Sequence, residues 1–224
     1  VGSYTKAIII NSPNNPSGVV YSEHLIKGLV EFCDKNGIYL IMDDIYHKLI
    51  FDGMKPVSCY KYSKNNSDSS RLVVINGVSK LYAMTGFRIG WAVANARLIA
   101  VMTNVQAQTT SCPSSLLQAA AVGALNGIQS YVESLRSTLE NNRNVMIREL
   151  KSINGVKVIK PQGTFYCLPD FRAYSGDSVA LSGKLLERAL VVTVPGKEFG
   201  MEGHLRLSYC GSMKETIDGA QRIR

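Results

Sequence analysis

The chain has 224 residues, of which 46% are hydrophobic and 19% are charged, and its formal net charge at pH 7 is +8. This composition is typical of a globular protein with an apolar core, and it excludes a fibrous or intrinsically disordered chain. No apolar run approaches the ~18 residues that span a bilayer, so we expect no membrane partner. The Lys and Arg residues are scattered along the chain. We therefore expect no nucleic-acid partner despite the positive charge.

The cysteines and histidines argue against a metal site. The cysteine count of five is odd, the spacings are wide, and no C-x-x-C pair occurs. This pattern disfavours both a disulfide framework and a zinc site. The three histidines show no metal-ligand spacing with nearby acids or cysteines. Reduced thiols are typical of the cytoplasm, which we predict as the location.

The first half of the chain alternates short apolar strands with polar segments. Lys6–Ile10 is β-branched and stops at a cluster of Asn, Pro, Ser and Gly, which predicts a buried strand entering a loop. Ser22 is a predicted helix N-cap, and Gly37 follows the predicted end of the same helix. A polar surface loop is predicted at Ser63–Ser70. Further strands are predicted at Ile38–Met42, Leu72–Ile75 and Arg88–Ala94.

The predicted strands indicate where a ligand would bind. Strands this uniformly apolar predict an α/β sheet that is covered on both faces. Such sheets bind their ligands at the carboxyl ends of the strands. Asn15, Asp43 and Lys80 each follow a predicted strand, which places them at that edge.

From Asn95 onward the pattern becomes mostly helical. The helix predicted at Gln129–Lys151 is long and forms a natural joint, so we predict two regions, 1–128 and 129–224. The other predicted helices are Ala96–Gln108, Ser114–Leu125, Ser178–Ala189 and one from Lys214. The later predicted strands are Val156–Ile159, Phe165–Leu168, Leu190–Val194 and Leu205–Tyr209.

Five short motifs occur in order along the whole chain. They are Asn11-Ser-Pro-Asn-Asn15-Pro-Ser-Gly18, Asp43-Asp-Ile-Tyr46, Asn76-Gly-Val-Ser-Lys80, Gly86-Phe-Arg88-Ile-Gly90 and Leu205-Arg206-Leu-Ser208. Each motif alone is weak, but together they resemble the class I/II aminotransferases of the aspartate/aromatic type. That family has the fold type I architecture and uses pyridoxal 5'-phosphate (PLP).

The resemblance implies an α/β PLP-transferase fold. Residues 1–128 would be the C-terminal part of the PLP-binding large domain, with its mixed or parallel sheet. Residues 129–224 would be the linking long helix and a smaller α+β C-terminal domain. The chain as a whole would correspond to the C-terminal portion of the family's full length.

The motifs assign catalytic roles to Lys80, Asp43 and Tyr46. Lys80 would bond to the cofactor aldehyde and later shuttle a proton. Its small and apolar neighbours would desolvate it partly, which favours the neutral, nucleophilic amine. Asp43 would keep the pyridine nitrogen protonated. The D-x-x-Y spacing to Tyr46 selects Asp43 over Asp44, which we interpret as a solvated acid.

The remaining site residues would bind the cofactor or the substrate. Tyr46 and Asn15 would hydrogen-bond the ring hydroxyl oxygen, and Asn15 would also contact the substrate. Arg88 lies in an otherwise apolar, strand-like run, where a buried guanidinium needs an anion. That anion would be the PLP phosphate, to which Ser79 would add a hydroxyl. Arg206 would clamp the α-carboxylate of an amino acid, with a structural salt bridge as its alternative.

The resemblance implies transfer of an amino group between an amino acid and a 2-oxo acid. This activity would serve amino acid metabolism and biosynthetic processes, with a homodimeric full-length protein. Family members are much longer, so we expect the 224 residues alone to bind PLP poorly and to be inactive. Three alternatives stay open: a ligand-sensing domain of a transcriptional regulator, another fold type I PLP enzyme such as a C–S lyase, and an inert structural relic.

Overall fold

The computed structural model describes residues 1–63 and 70–224. Most of the loop predicted at Ser63–Ser70, including Lys64, lies outside the described residues. The chain forms two compact units, and the predicted division at residue 128 into functional regions stays a prediction. The first unit contains Val1–Ser12, Tyr21–Lys48 and Lys55–Glu133, and the second contains Pro13–Val20, Leu49–Met54 and Ser134–Arg224.

The first unit contains a four-stranded mixed sheet with the strand order β1-β2-β3-β4. The parallel strands are β1 (Ala7–Asn11), β2 (Tyr39–Asp43) and β3 (Leu72–Gly77). The last strand, β4 (Gly90–Val93), runs antiparallel to β3. The predicted α/β class with a mixed sheet is therefore confirmed. The carboxyl ends of the three parallel strands share one edge, and β4 starts at that same edge.

Helix α1 (Glu23–Asn36) packs on one face of this sheet and begins and ends as predicted. The Ser22 side chain accepts a hydrogen bond from the Leu25 backbone N–H at 3.2 Å. Gly37 ends the helix in the left-handed region, with φ of 64°, which glycine adopts without a steric cost. The buried core between helix and sheet consists of Ile26, Val30, Cys33, Ile38, Leu40, Met42, Cys59, Leu72 and Val74.

The opposite face of the sheet is partly exposed in the described chain. Ile9 is 70% exposed and Ile75 is 40% exposed. Val73, which lies in register with Ile9 and Ile41 on the same face, is buried, so the described residues cover this face in part and the prediction that both faces are covered stays a prediction. A uniformly apolar strand sequence indicates that both faces of the strand are buried, but it does not identify the element that covers each face.

Three more helices begin in the first unit. They are α2 (Ala96–Thr109), α3 (Ser115–Asn126) and α4 (Ser130–Lys151), all within one or two residues of their predicted bounds. The Asn95 side chain caps α2 by accepting a hydrogen bond from the Leu98 backbone N–H at 2.8 Å. None of the helices in the described part of the chain is long and apolar enough to cross a membrane.

The second unit contains a three-stranded antiparallel sheet with the order β5-β7-β6. Its strands are β5 (Tyr166–Cys167), β6 (Val194–Pro195) and β7 (Leu205–Ser208). Helices α5 (Ser178–Ala189) and α6 (Met213–Ile223) belong to the same unit. Most of α4 also lies in this unit, which therefore combines helices with an antiparallel sheet.

Two predicted strands of the second unit are corrected. Val156–Ile159 is not a strand, because Lys157 makes only an isolated bridge to Asp170. The strand predicted at Leu190–Val194 is reduced to β6. Leu190 ends α5 in the left-handed region, with φ of 53°, and that conformation is incompatible with a strand.

A buried arginine joins the segment Leu49–Met54 to α4 within the second unit. The Arg143 side chain is fully buried and donates to the two carboxylate oxygens of Asp52 at 2.7 and 2.9 Å. It also donates to the Pro161 carbonyl at 2.9 Å. Its guanidinium lies over the Phe51 ring, 4.7 Å from the centroid. The hydrogen bond from Arg143 lowers the pKa of Asp52 to about 2.

Candidate active site

Three of the predicted site residues line one cavity in the first unit. Asp43, Ser79 and Arg88 surround a volume of about 510 Å³. Asp43 ends β2, Ser79 follows β3, and Arg88 precedes β4. Gly77 pairs with Gly90 in the antiparallel register, so the end of β3 meets the start of β4. The apolar part of the lining includes Ile9, Ile41, Ile45, Ile75 and Ile89.

Gly77 permits the close approach of β3 to the segment before β4. A Cβ atom at this position would lie 2.8 Å from the Ile89 carbonyl oxygen and 3.3 Å from the Ile45 side chain. Both distances are shorter than an ordinary contact, and the first involves backbone, which cannot rotate away. Glycine is therefore required for the two strand ends to meet at the cavity.

Asp43 is held by local hydrogen bonds at the end of β2. Its Oδ1 accepts a hydrogen bond from the Ile45 backbone N–H at 3.2 Å. Its carbonyl oxygen accepts a hydrogen bond from the Asn11 side chain at 3.1 Å. These bonds fix both the carboxylate and the backbone of a half-buried acid in the cavity wall.

Arg88 is not the buried strand residue that the sequence predicts. It ends the short 3-10 helix Thr85–Phe87 in the left-handed region, with φ of 54°, and its side chain is exposed. Its Nη1 donates to the Thr85 carbonyl at 3.2 Å. The sequence prediction began the strand at Arg88 because the residues that follow it are apolar, but β4 begins only at Gly90. Arg88 still lines the cavity, and a guanidinium can bind an anion.

Asp44 is not the solvated acid that we predicted from the sequence. It is half-buried, and burial together with the charge of Asp43 raises its pKa to about 7. Two consecutive acids after a strand give no sequence signal for which one turns inward. Asp44 is thus a second titratable group directly beside Asp43.

His47 and Asn76, to which we gave no role from the sequence, connect two strand ends of the first unit. Asn76 Nδ2 lies 2.9 Å from His47 Nδ1, and Asn76 Oδ1 accepts a hydrogen bond from the Gly77 backbone N–H at 2.7 Å. Burial lowers the pKa of His47. Asn76 also lines the cavity. Its position as the first residue of the Asn76-Gly-Val-Ser-Lys80 motif could have identified it as a site residue from the sequence.

Lys80 and Tyr46 are not part of the lining of this cavity. Lys80 is half-buried and directly follows Ser79, which does line it. Tyr46 is 3% exposed and lies three residues after Asp43. Both are next to the cavity in sequence, and their predicted roles stay predictions.

The other two predicted residues, Asn15 and Arg206, meet in the second unit. Arg206 Nη1 donates to Asn15 Oδ1 at 3.0 Å. The loop that carries Asn15 is held in place at Gly18, whose carbonyl accepts a hydrogen bond from the Gln162 backbone N–H at 2.8 Å. Gly18 has φ of +71°, and a Cβ atom there would lie 2.4 Å from Pro161 Cβ. This packing holds the loop against the segment at 161–162.

The described residues contain no group of three or more His, Cys, Asp or Glu side chains that could hold a metal ion.

The α/β fold with its mixed sheet is that of PLP-dependent aminotransferases of fold type I. The aromatic aminotransferase from Pyrococcus horikoshii superposes with a TM-score of 0.92 at 31% identity, over 100% of this chain and 60% of that chain. The aspartate aminotransferase from Thermus thermophilus with maleate superposes with a TM-score of 0.92 at 33% identity, over 99% and 57% of the two chains. The sequence profile of the family described as "Aminotransferase class I and II" matches residues 2–223. The chain therefore belongs to the class I and II aminotransferase family.

Curated relatives agree with this assignment. A probable aspartate/prephenate aminotransferase from Aquifex aeolicus is 40% identical, and the match covers 98% of this chain and 57% of the relative. The aspartate aminotransferase from Geobacillus stearothermophilus is 39% identical over 98% of this chain and 56% of its own length. The chain thus spans a little more than half the length of these relatives. These percentages give only the extent of the match. The expectation that the chain corresponds to the C-terminal portion of the family's full length stays a prediction.

Proposed function

We propose that the full protein carrying this chain is a PLP-dependent aminotransferase that moves an amino group between an amino acid and a 2-oxo acid. The observation that carries the proposal is the convergence of Asp43, Ser79 and Arg88 on one cavity at the strand ends. Family membership supports it. Because two similar relatives are named for aspartate, aspartate is the first amino donor to test.

The cavity residues fit PLP in size and in charge. The volume of about 510 Å³ lies within the roughly 300–1,000 Å³ of typical small-molecule sites. Asp43 supplies an anion for a protonated ring nitrogen. Ser79 and Arg88 supply a hydroxyl and a cation for a phosphate. The isoleucine side chains of the lining suit an aromatic ring. PLP, when bound, supplies an electron sink for the negative charge that develops at the substrate α-carbon.

The remaining predicted residues would complete the chemistry. Lys80 would hold the cofactor through Nζ and, once displaced, would move the α-proton of the substrate. Tyr46 would donate a hydrogen bond to the ring hydroxyl oxygen. Arg206, hydrogen-bonded to Asn15, would bind the α-carboxylate with its planar fork. The predicted bond of Asn15 to the cofactor ring stays a prediction.

We further propose a homodimeric full protein that works in amino acid metabolism in the cytoplasm. Helices α2 and α3 support a dimer because they expose large apolar side chains, among them Val105 at 58% and Leu116 at 75%. The free thiols of the cysteines support a reducing compartment. Light scattering after size exclusion would test the dimer, and a mass equal to one chain would contradict it.

The activity is tested with the full protein, PLP, L-aspartate and 2-oxoglutarate. We expect oxaloacetate and glutamate to form in equal amounts. Lys80→Ala should abolish both products, whereas Lys35→Ala, at an exposed position of α1, should leave them unchanged. Release of ammonia and pyruvate from cystathionine in place of transamination would favour a C–S lyase. Binding of PLP without turnover of any amino acid would favour a ligand-sensing domain. The 224 residues alone should show negligible turnover.

A further inference from the structure

Arg206 packs against two aromatic rings in the second unit. Its guanidinium carbon lies over the Tyr166 ring, 4.5 Å from the centroid, and over the Phe199 ring, 5.1 Å from the centroid. The hydrogen bond from Nη1 to Asn15 adds a third restraint. A long side chain with four rotatable bonds would otherwise sample many orientations.

The two rings come from opposite neighbours of β7. Tyr166 in β5 lies opposite Ser208, two residues from Arg206, and this diagonal spacing lets large side chains on one face of a sheet touch. Phe199 ends the 3-10 helix that follows β6, the strand in which Val194 pairs with Arg206. The sheet order β5-β7-β6 therefore supplies one ring from each side.

The rings act on the faces of the guanidinium and leave its edges for hydrogen bonding. The faces are weakly hydrated and are attracted to the ring quadrupole, while the five N–H groups point outward in the plane. A carboxylate is bound by two parallel N–H bonds in that plane. Fixing the plane in advance lowers the conformational entropy that binding would cost.

We propose that Tyr166 and Phe199 are positioning residues that orient the Arg206 guanidinium for the carboxylate of the substrate. This inference rests on the proposed function, because it takes Arg206 as the carboxylate-binding residue. Neither ring is assigned contact with the reacting atoms, and each acts through Arg206.

The test measures binding of succinate, which lacks the reacting amino group, to the full protein by isothermal titration calorimetry. Tyr166→Leu and Phe199→Leu are each expected to weaken succinate about tenfold. Tyr166→Phe and Phe199→Tyr keep the ring and should retain wild-type affinity. Tyr174→Leu is the matched control, since Tyr174 is 56% exposed and contacts Phe171 edge to face.

A double-mutant cycle separates positioning from a general loss of structure. In an Arg206→Lys background, the leucine variants should cause no further loss of affinity, because the planar group on which the rings act is gone. Three results would each overturn the inference. The first is that the affinity losses of the leucine and Arg206→Lys variants add fully. The others are that the leucine variants bind succinate as tightly as wild type, or that wild type does not bind succinate. Absence of cofactor on Lys80 would instead defeat the proposed function, so the two failures are distinguishable.

Discussion

Arg206 donates a hydrogen bond to Asn15 over a separation of 191 residues in the sequence, with Nη1 3.0 Å from Oδ1. The two residues belong to one compact unit because the short segment Pro13–Val20 clusters with the C-terminal part of the chain. Sequence motifs identified both as substrate-binding candidates. The hydrogen bond between Arg206 and Asn15 was not predicted from the sequence, because it depends on the tertiary fold.

Replacing Arg206 with lysine should keep the charge and remove the planar fork. Because a lysine makes no bidentate bond to a carboxylate, we expect succinate affinity to fall roughly 10- to 100-fold. Calorimetric titration of the full protein measures this. Arg172→Lys is the control, since Arg172 is 66% exposed and pairs with Asp170. Unchanged affinity in Arg206→Lys would show that the residue has a structural role.

Asp44 should make the protein less stable as the pH rises. Its pKa is raised from 3.8 to about 7 in the folded chain, so the folded state holds a proton that the unfolded state releases. The contribution of Asp44 to stability is therefore largest below about pH 4, falls as the pH rises from about 4 to about 7, and stays low above that. Asp44→Asn, measured without added PLP, should raise the free energy of unfolding by about 2 kcal/mol at pH 8 after allowance for partial exposure.

The same substitution should have little effect at pH 3, where the acid is mostly protonated in both states. Urea unfolding at the two pH values makes the comparison. Asp43→Asn should shift the pH-dependent loss of stability to lower pH, because the charge of Asp43 is the second cause of the raised pKa of Asp44. An equal effect of Asp44→Asn at both pH values would contradict the prediction.

Asp52 should show the opposite pH dependence. Its pKa is lowered to about 2 by Arg143, so its contribution is present above pH 4 and is lost as the pH falls through 2. Asp52→Asn should cost about 1–2 kcal/mol at pH 6, discounted because the Asp52 side chain is 40% exposed. Lys160→Met removes only the half-exposed partner of Asp52 and should cost less in the same urea titration. A larger loss for Lys160→Met would contradict the role of Arg143.

Two glycine-to-alanine substitutions should have opposite signs. A Cβ atom at Gly196 would lie 2.1 Å from the Met201 carbonyl oxygen and 2.5 Å from that of His204. Because both are backbone atoms, we expect Gly196→Ala to lower the free energy of unfolding by about 3 kcal/mol or more. Gly183 lies exposed in α5 with nothing within 4 Å of a Cβ atom. Gly183→Ala should therefore raise stability by roughly 0.5–1 kcal/mol. Thermal unfolding of both variants tests the pair, and a stable Gly196→Ala would contradict the packing.

Local rules predicted the features that depend on neighbouring residues. The α1 caps at Ser22 and Gly37 follow from side-chain hydrogen bonding and backbone freedom within one turn. The position of Asp43 at the carboxyl edge of the sheet follows from parallel strands, whose carboxyl ends must share an edge. Both predictions needed only hydrophobic patterning and short-range chemistry.

Features that depend on tertiary packing were not predictable in the same way. The burial of Asp44 and the exposure of Arg88 depend on how each loop turns after its strand, and apolar neighbours alone gave the wrong answer for Arg88. The contact of Arg206 with Tyr166 and Phe199 depends on the β5-β7-β6 order. Strand order in the small sheet has no signature in the sequence of its short strands.

The identity of the cofactor lysine is the most direct test of the proposed function. The full protein would be incubated with PLP, reduced with borohydride to fix the cofactor on its amine, digested and mapped by mass spectrometry. We predict a pyridoxyl modification on Lys80 and loss of all specific label in Lys80→Ala. Specific label on any other lysine, with Lys80 unmodified, would contradict the assignment.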